Sequence, residues 1–119
     1  MEKEKDLIFE LDRQKYTQLM AKNLPVLRAS LGLSQADLAG VIGVTRQTLS
    51  AAESGARELS WGNFISLLYV FTQNVQSAPL LQTLGISTPE LMSLFRVTGL
   101  DELSNSGAAK KSDKAGEEK

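Results

Sequence analysis

The chain has 119 residues, 42% of them hydrophobic, with a formal net charge of −1, which fits one modest domain with a single core. It contains no cysteine and no histidine. That excludes disulfide stapling, zinc sites of the Cys/His type, and Ser-His-Asp or Cys-His catalysis. A carboxylate-only site is the one catalytic arrangement left. Asp101-Glu102 and the N-terminal acids fall at chain ends, where no cleft is expected, so no enzyme activity, cofactor or metal is expected. The longest apolar runs, such as 64–71, fall far short of the ~20 residues that a membrane span needs. The start of the chain is densely charged and has no signal-peptide core, so a cytoplasmic protein with no membrane contact is expected.

In chain order, the charged start EKEKD leads into Leu7, Ile8, Leu11, Tyr16, Leu19 and Met20, whose spacing predicts helix. Pro25 either starts a new helix, with Asn23 nearby as its cap, or kinks a continuous one. Leu24, Leu27 and Leu31 mark one face of a helix that closes at Gly32. Ser34 is the expected N-cap of the next helix, with Asp37 as a shortened capping-box partner. Ala36, Leu38, Ala39 and Ile42 are expected to face inward, and Gly43 ends this helix. Thr45 is the next expected N-cap, with Leu49 and Ala52 inward and Ser54-Gly55 as the close. Ser60 caps a fourth segment whose inward residues are Trp61, Phe64, Ile65, Leu68 and either Phe71 or Tyr69. A short helix at 78–84 with Pro79 in its first turn follows. Thr88-Pro89-Glu90 then opens another, with Leu91, Leu94, Phe95 and Leu100 as its apolar face. From Ser104 the composition is that of a disordered tail. No sustained two-residue alternation appears, so the fold is expected to be all-α with five to seven helices.

The segments 34–42 and 45–54 are each too short to be stable alone. With so short a link they must cross at a large angle, roughly 90–120° in a helix-turn-helix. Gly43 can take the left-handed conformation that such a turn needs. The second helix of such a pair can enter the major groove of DNA while the first crosses the backbone.

Within this stretch, Leu31-Gly32-Leu33-Ser34-Gln35, Leu38-Ala39, Gly43-Val44, Arg46-Gln47-Thr48-Leu49-Ser50 and Glu53-Ser54-Gly55 stand in register over 35 residues. The segment resembles the Cro and phage-repressor family of helix-turn-helix domains across about 24–71. The resemblance implies a compact five-helix lambda-repressor-like domain, here with additional N- and C-terminal helices. It also implies double-stranded DNA as the partner. By the resemblance, Gln35 is a phosphate contact, Arg57 a backbone clamp, and Arg28 and Glu53 an internal ion pair. Arg46 and Gln47 open the recognition helix, where arginine can bind guanine and glutamine adenine bidentately. Thr45, Thr48 and Ser50 can reach phosphate or a thymine methyl.

Two positions depart from the family pattern. Ala51 replaces a long polar reader, and Ala52 replaces a large aliphatic plug, leaving space for Trp61 or Tyr69 to fill. The chain thus divides into an N-terminal helical extension (1–23), a helix-turn-helix domain (24–74), a C-terminal helical extension (75–103) suited to dimerisation, and a tail (104–119). The expected function is a sequence-specific transcriptional regulator, a repressor acting as a homodimer. The competing reading is an antitoxin-type module on the same fold that binds a toxin-like protein and its own promoter.

Overall fold

The computed structural model describes residues 2–96, and their side chains from Arg13 onward. Among these residues the secondary structure is entirely helical, as the periodicity predicts, and six helices follow one another: α1 (Glu2–Leu31), α2 (Gln35–Ile42), α3 (Arg46–Ser54), α4 (Trp61–Thr72), α5 (Ala78–Thr83) and α6 (Pro89–Leu94). The expected tail from Ser104, and Leu100, lie outside the described residues. No described helix is long and apolar enough to cross a membrane.

The chain divides into two units after Ile86. In the first unit, α1 runs through Pro25 without a break, so of the two possibilities at this proline the continuous helix is the one adopted. Pro25 is exposed, so the Ala21 carbonyl that loses its amide partner there can turn to water. The 23/24 position therefore falls inside one helix. Tyr16, Met20, Leu24 and Leu27 form the buried stripe of α1, and Leu31 is half-buried. Leu38 and Ala39 of α2, Leu49 and Ala52 of α3, and Phe64, Leu67, Leu68 and Phe71 of α4 complete the core. Burying a side chain such as Leu49 contributes about 1.5–3 kcal/mol, which helps hold two helices that could not persist alone.

Several inward assignments need correction. Ala36 is exposed, because the inward face of α2 is set by Leu38 and Ala39, with Ile42 half-buried. On α4, Phe71 is buried and Tyr69 is 67% exposed, while Leu67, absent from the expected set, is fully buried. Trp61 and Ile65 are only half-buried. Neither Trp61 nor Tyr69 fills the space beside Ala52. Trp61 stacks on Phe64 at 4.8 Å between ring centroids and carries the Arg13 guanidinium over its ring. Ala52 instead lines an open cleft of about 400 Å³ between α1 and the loop after α3.

Every turn around this unit has a local chemical cause. Ser34 and Asp37 form a full capping box at the start of α2. Thr45 caps α3 by accepting from the Thr48 N–H at 3.1 Å, and Ser60 caps α4 through Asn63. Gly43 closes α2 at φ 80°, where a side chain would be strained, and its N–H donates to the Ala39 carbonyl. After α4 the buried Ser77 hydroxyl donates to the Phe71 carbonyl at 2.8 Å, turning the chain into α5. There Leu81 and Ile86 are buried and Leu80 and Leu84 half-buried.

In the second unit, Thr88 caps α6 by accepting from the Leu91 N–H, with Pro89 in the first turn and Glu90 beside the positive helix end. Leu91 is buried and Leu94 half-buried, whereas Phe95, expected on the apolar face, is exposed because α6 ends at Leu94.

Candidate nucleic-acid interface

The tight turn at Gly43-Val44 places the first turn of α3 directly after the last turn of α2. Val44 is tied back to α2 by its N–H to the Ala39 carbonyl at 3.0 Å. Arg46 and Gln47 open α3, and both are exposed. Thr45 is exposed, Thr48 and Ser50 are half-buried, and the two threonine hydroxyls lie 2.9 Å apart. No acidic residue occupies the first turn of α3. The backbone N–H groups of Arg46 and Gln47 precede the first helical hydrogen bonds, so they join the positive helix end in facing outward. That arrangement suits an anionic backbone, with two long side chains able to reach base edges.

Beneath this surface runs a chain of polar contacts across three helices. Arg28 of α1 donates from Nε to Glu53 Oε2 at 2.7 Å and from Nη2 to Glu53 Oε1 at 3.1 Å. Its Nη1 donates to the Leu33 carbonyl at 3.0 Å, which fixes the link between α1 and α2. Glu53 Oε1 also accepts from Gln35 Nε2 at 3.0 Å. Gln35 Oε1 in turn accepts from Arg46 Nη1 at 3.2 Å. The Arg28 and Glu53 side chains are only 18% and 8% exposed, so the pair is largely withdrawn from water.

Burial pushes the Glu53 carboxyl up. The hydrogen bonds from Arg28 and Gln35, with the charge of Arg28, outweigh burial and hold it below the ordinary glutamate value. Arg28 is raised, first by its hydrogen bond to Glu53, against burial, with the Glu53 charge adding to the rise. Asp37 is lowered by the Ser34 N–H and then by the Ser34 hydroxyl.

The structure thus brings Gln35 and Arg46 together and joins both to Glu53 and Arg28. Thr45 and Thr48 pair with each other. Arg57 stands apart in the exposed loop after α3, lining the cleft beside Ala52 with Lys22 of α1. Gln47 is exposed and unengaged. Sequence reasoning missed that the side chain of Gln35 is already engaged at both ends. It also missed the tie from Gln14 of α1 to Glu58, at 3.2 Å, which joins the loop to the first helix. Both contacts join residues far apart in the chain, Gln35 to Glu53 and Gln14 to Glu58, so no local pattern signals them. No group of carboxylates able to hold a metal exists among the described residues.

Two short helices capped at Ser34 and Thr45, joined at a left-handed glycine and buried through Leu38 and Leu49, define a helix-turn-helix unit. Residues 27–68 match the family model described as Helix-turn-helix, that of DNA-binding domains of the Cro and phage-repressor type. Comparison with curated proteins and with solved structures found no match.

Proposed function

We propose that the protein is a sequence-specific transcriptional regulator in the cytoplasm, a repressor that reads the major groove with α3 as a homodimer. The observation that carries this reading is the exposed, acid-free first turn of α3, where Arg46 and Gln47 project from the free end of the helix. In this role Arg46 contacts a guanine edge and Gln47 an adenine edge, each worth about 1–3 kcal/mol of discrimination. Thr45, Thr48 and Ser50 supply phosphate or thymine-methyl contacts, and Arg57 clamps the backbone. Gln35 serves twice, through its N–H in the first turn of α2 and by steadying Arg46. Arg28 and Glu53 act structurally, holding the base of α3.

The test is a titration of the protein against its own upstream DNA and against random DNA at two salt concentrations, with Arg46→Ala and Gln47→Ala beside it. Tight binding to the upstream DNA alone, weakened by salt and lost in both variants, is the expected result. Equal, feeble binding to both DNAs would reject sequence reading. The second reading, an antitoxin-type module with a toxin-like partner, draws on the near-neutral charge of 25–76, where Arg28, Arg46 and Arg57 are matched by Asp37, Glu53 and Glu58. It becomes the better account if DNA binding fails that titration.

A further inference from the structure

Four charged side chains line the cleft between α1 and the loop after α3: Lys22, Glu53, Arg57 and Glu58. Glu53 is already engaged by Arg28 and Gln35. Glu58 has the less expected partner. It shares the cleft with two cations and directly follows Arg57, yet its Oε2 accepts from the neutral amide of Gln14, Nε2, at 3.2 Å. Neither Lys22 nor Arg57 pairs with a carboxylate among the described residues.

Both ends of this tie are anchored. The Gln14 carbonyl accepts from the hydroxyl of Thr17 at 3.1 Å, and Thr17 and Tyr16 are both buried. One residue before Gln14, the Arg13 guanidinium lies 5.2 Å from the centroid of the Trp61 ring, which holds this turn of α1 to the start of α4. On the loop side, Leu59 is buried directly after Glu58. An amide fixed in this way gives the carboxylate a charge-assisted donor away from the cations. Freed from it, an exposed carboxylate can turn to the nearest cation, in the weak and partial pairing usual at a surface.

We infer that Gln14 is a positioning residue for binding the DNA backbone: by holding Glu58 it keeps Arg57 and Lys22 open to phosphate, with Lys22 the second contact in the same seat. The inference rests on the reading of Arg57 as a backbone clamp. It extends that reading to two residues of α1, both of which precede the residues 27–68 matched by the family model. A carboxylate lodged on Arg57 would have to be displaced before a phosphate could bind there. Phosphate contacts carry no direct sequence information, so the effect belongs to the salt dependence of binding on every DNA.

The test is a double-mutant cycle on the full chain, read by the salt dependence of binding to its upstream DNA and to random DNA. Circular dichroism run alongside reports on folding, which these exposed positions should leave intact. Lys22→Ala should flatten the dependence by about one unit of slope on both DNAs. Gln14→Ala should flatten it by up to about one unit in the wild-type background. In the Glu58→Gln background it should leave the slope unchanged, because no carboxylate remains to close on the cations. Equal effects of Gln14→Ala in both backgrounds would mean that the tie merely steadies the loop, and would overturn the role of Gln14. No effect in either background would overturn it as well, and an unchanged slope for Lys22→Ala would overturn that of Lys22. A wild type that binds DNA while the cycle fails overturns this inference alone. A wild type that binds no DNA overturns it together with the DNA-binding reading.

Discussion

The two ends of α2, a helix of only eight residues, are chemically opposite. At the N-terminal end, Gln35 is held between Glu53 and Arg46, and every polar group of its side chain has a partner inside the fold. At the C-terminal end, exposed Val41 and Tyr69 and half-buried Ile42 and Val70 line a cleft whose described residues carry no charge. At the first end, a ligand must exchange hydrogen bonds that already exist, which favours selectivity over raw affinity. At the second, a partner adds burial without displacing any protein contact. The same short helix therefore presents an engaged polar surface at one end and an uncharged, partly apolar one at the other.

The sharpest way to break the first end is to remove its carboxylate. Glu53→Leu leaves the Arg28 guanidinium, largely withdrawn from water, with the Leu33 carbonyl but no carboxylate to accept from it, and removes the acceptor of Gln35 Nε2. Chemical denaturation should show a loss of about 3 kcal/mol, near the low end for a broken buried pair because Arg28 is partly exposed. The double variant Arg28→Met/Glu53→Leu should recover most of it, because the uncompensated charge has gone. A single variant as stable as wild type would mean the pair is ornamental and the contrast between the two ends is false.

Next comes Arg46→Ala. Stability should change by less than about 0.5 kcal/mol, since the side chain is exposed, while binding to cognate DNA should weaken by about 1–3 kcal/mol. Arg57→Ala should instead weaken all DNA sequences alike and flatten the salt dependence by about one unit of slope. Equal behaviour of the two variants would remove the distinction between a base reader and a backbone clamp.

Acid should sharpen the comparison further. The Glu53 carboxyl is held below its ordinary value in the folded protein, so its contribution is complete above the unfolded pKa of about 4.3 and is lost as pH falls through the folded value. The melting temperature of the wild type should therefore drop more between about pH 6 and pH 3 than that of Arg28→Met/Glu53→Leu. Parallel declines would show that Glu53 adds no pH-dependent stability.

The smallest effect lies midway along α2. Gly40 is exposed, and a Cβ built there meets nothing within 4 Å. Gly40→Ala should raise stability by about 0.5–1 kcal/mol without touching either end. A loss of DNA binding in that variant would reveal a close approach at the middle of the helix.

Much of this was written locally. Ser34, Thr45, Ser60 and Thr88 cap their helices because a hydroxyl one residue before a helix can reach N–H groups two or three residues on, wherever the rest of the chain lies. Gly43 turns for the same kind of reason, and the spacing of Leu24, Leu27, Leu38 and Leu49 places a core. These features sufficed for an all-α fold and the helix-turn-helix within it.

The rest depended on what stands opposite. Ala36 and Leu38 both fit a helical face, and Phe71 and Tyr69 both fit the end of α4. Only the positions of neighbouring helices selected Leu38 and Phe71 and sent Ala36 and Tyr69 to the surface. Pro25 left two backbones open, and packing of Met20, Leu24 and Leu27 on one continuous stripe is compatible with the unbroken one. The partners of Gln35 come from residues 18 and 11 positions away on another helix, so no local rule could assign them. Caps, turns and core periodicity act over a few residues and are determined by sequence alone. Faces, clefts and the engagement of long polar side chains arise where separate helices meet, and only the tertiary structure decides them.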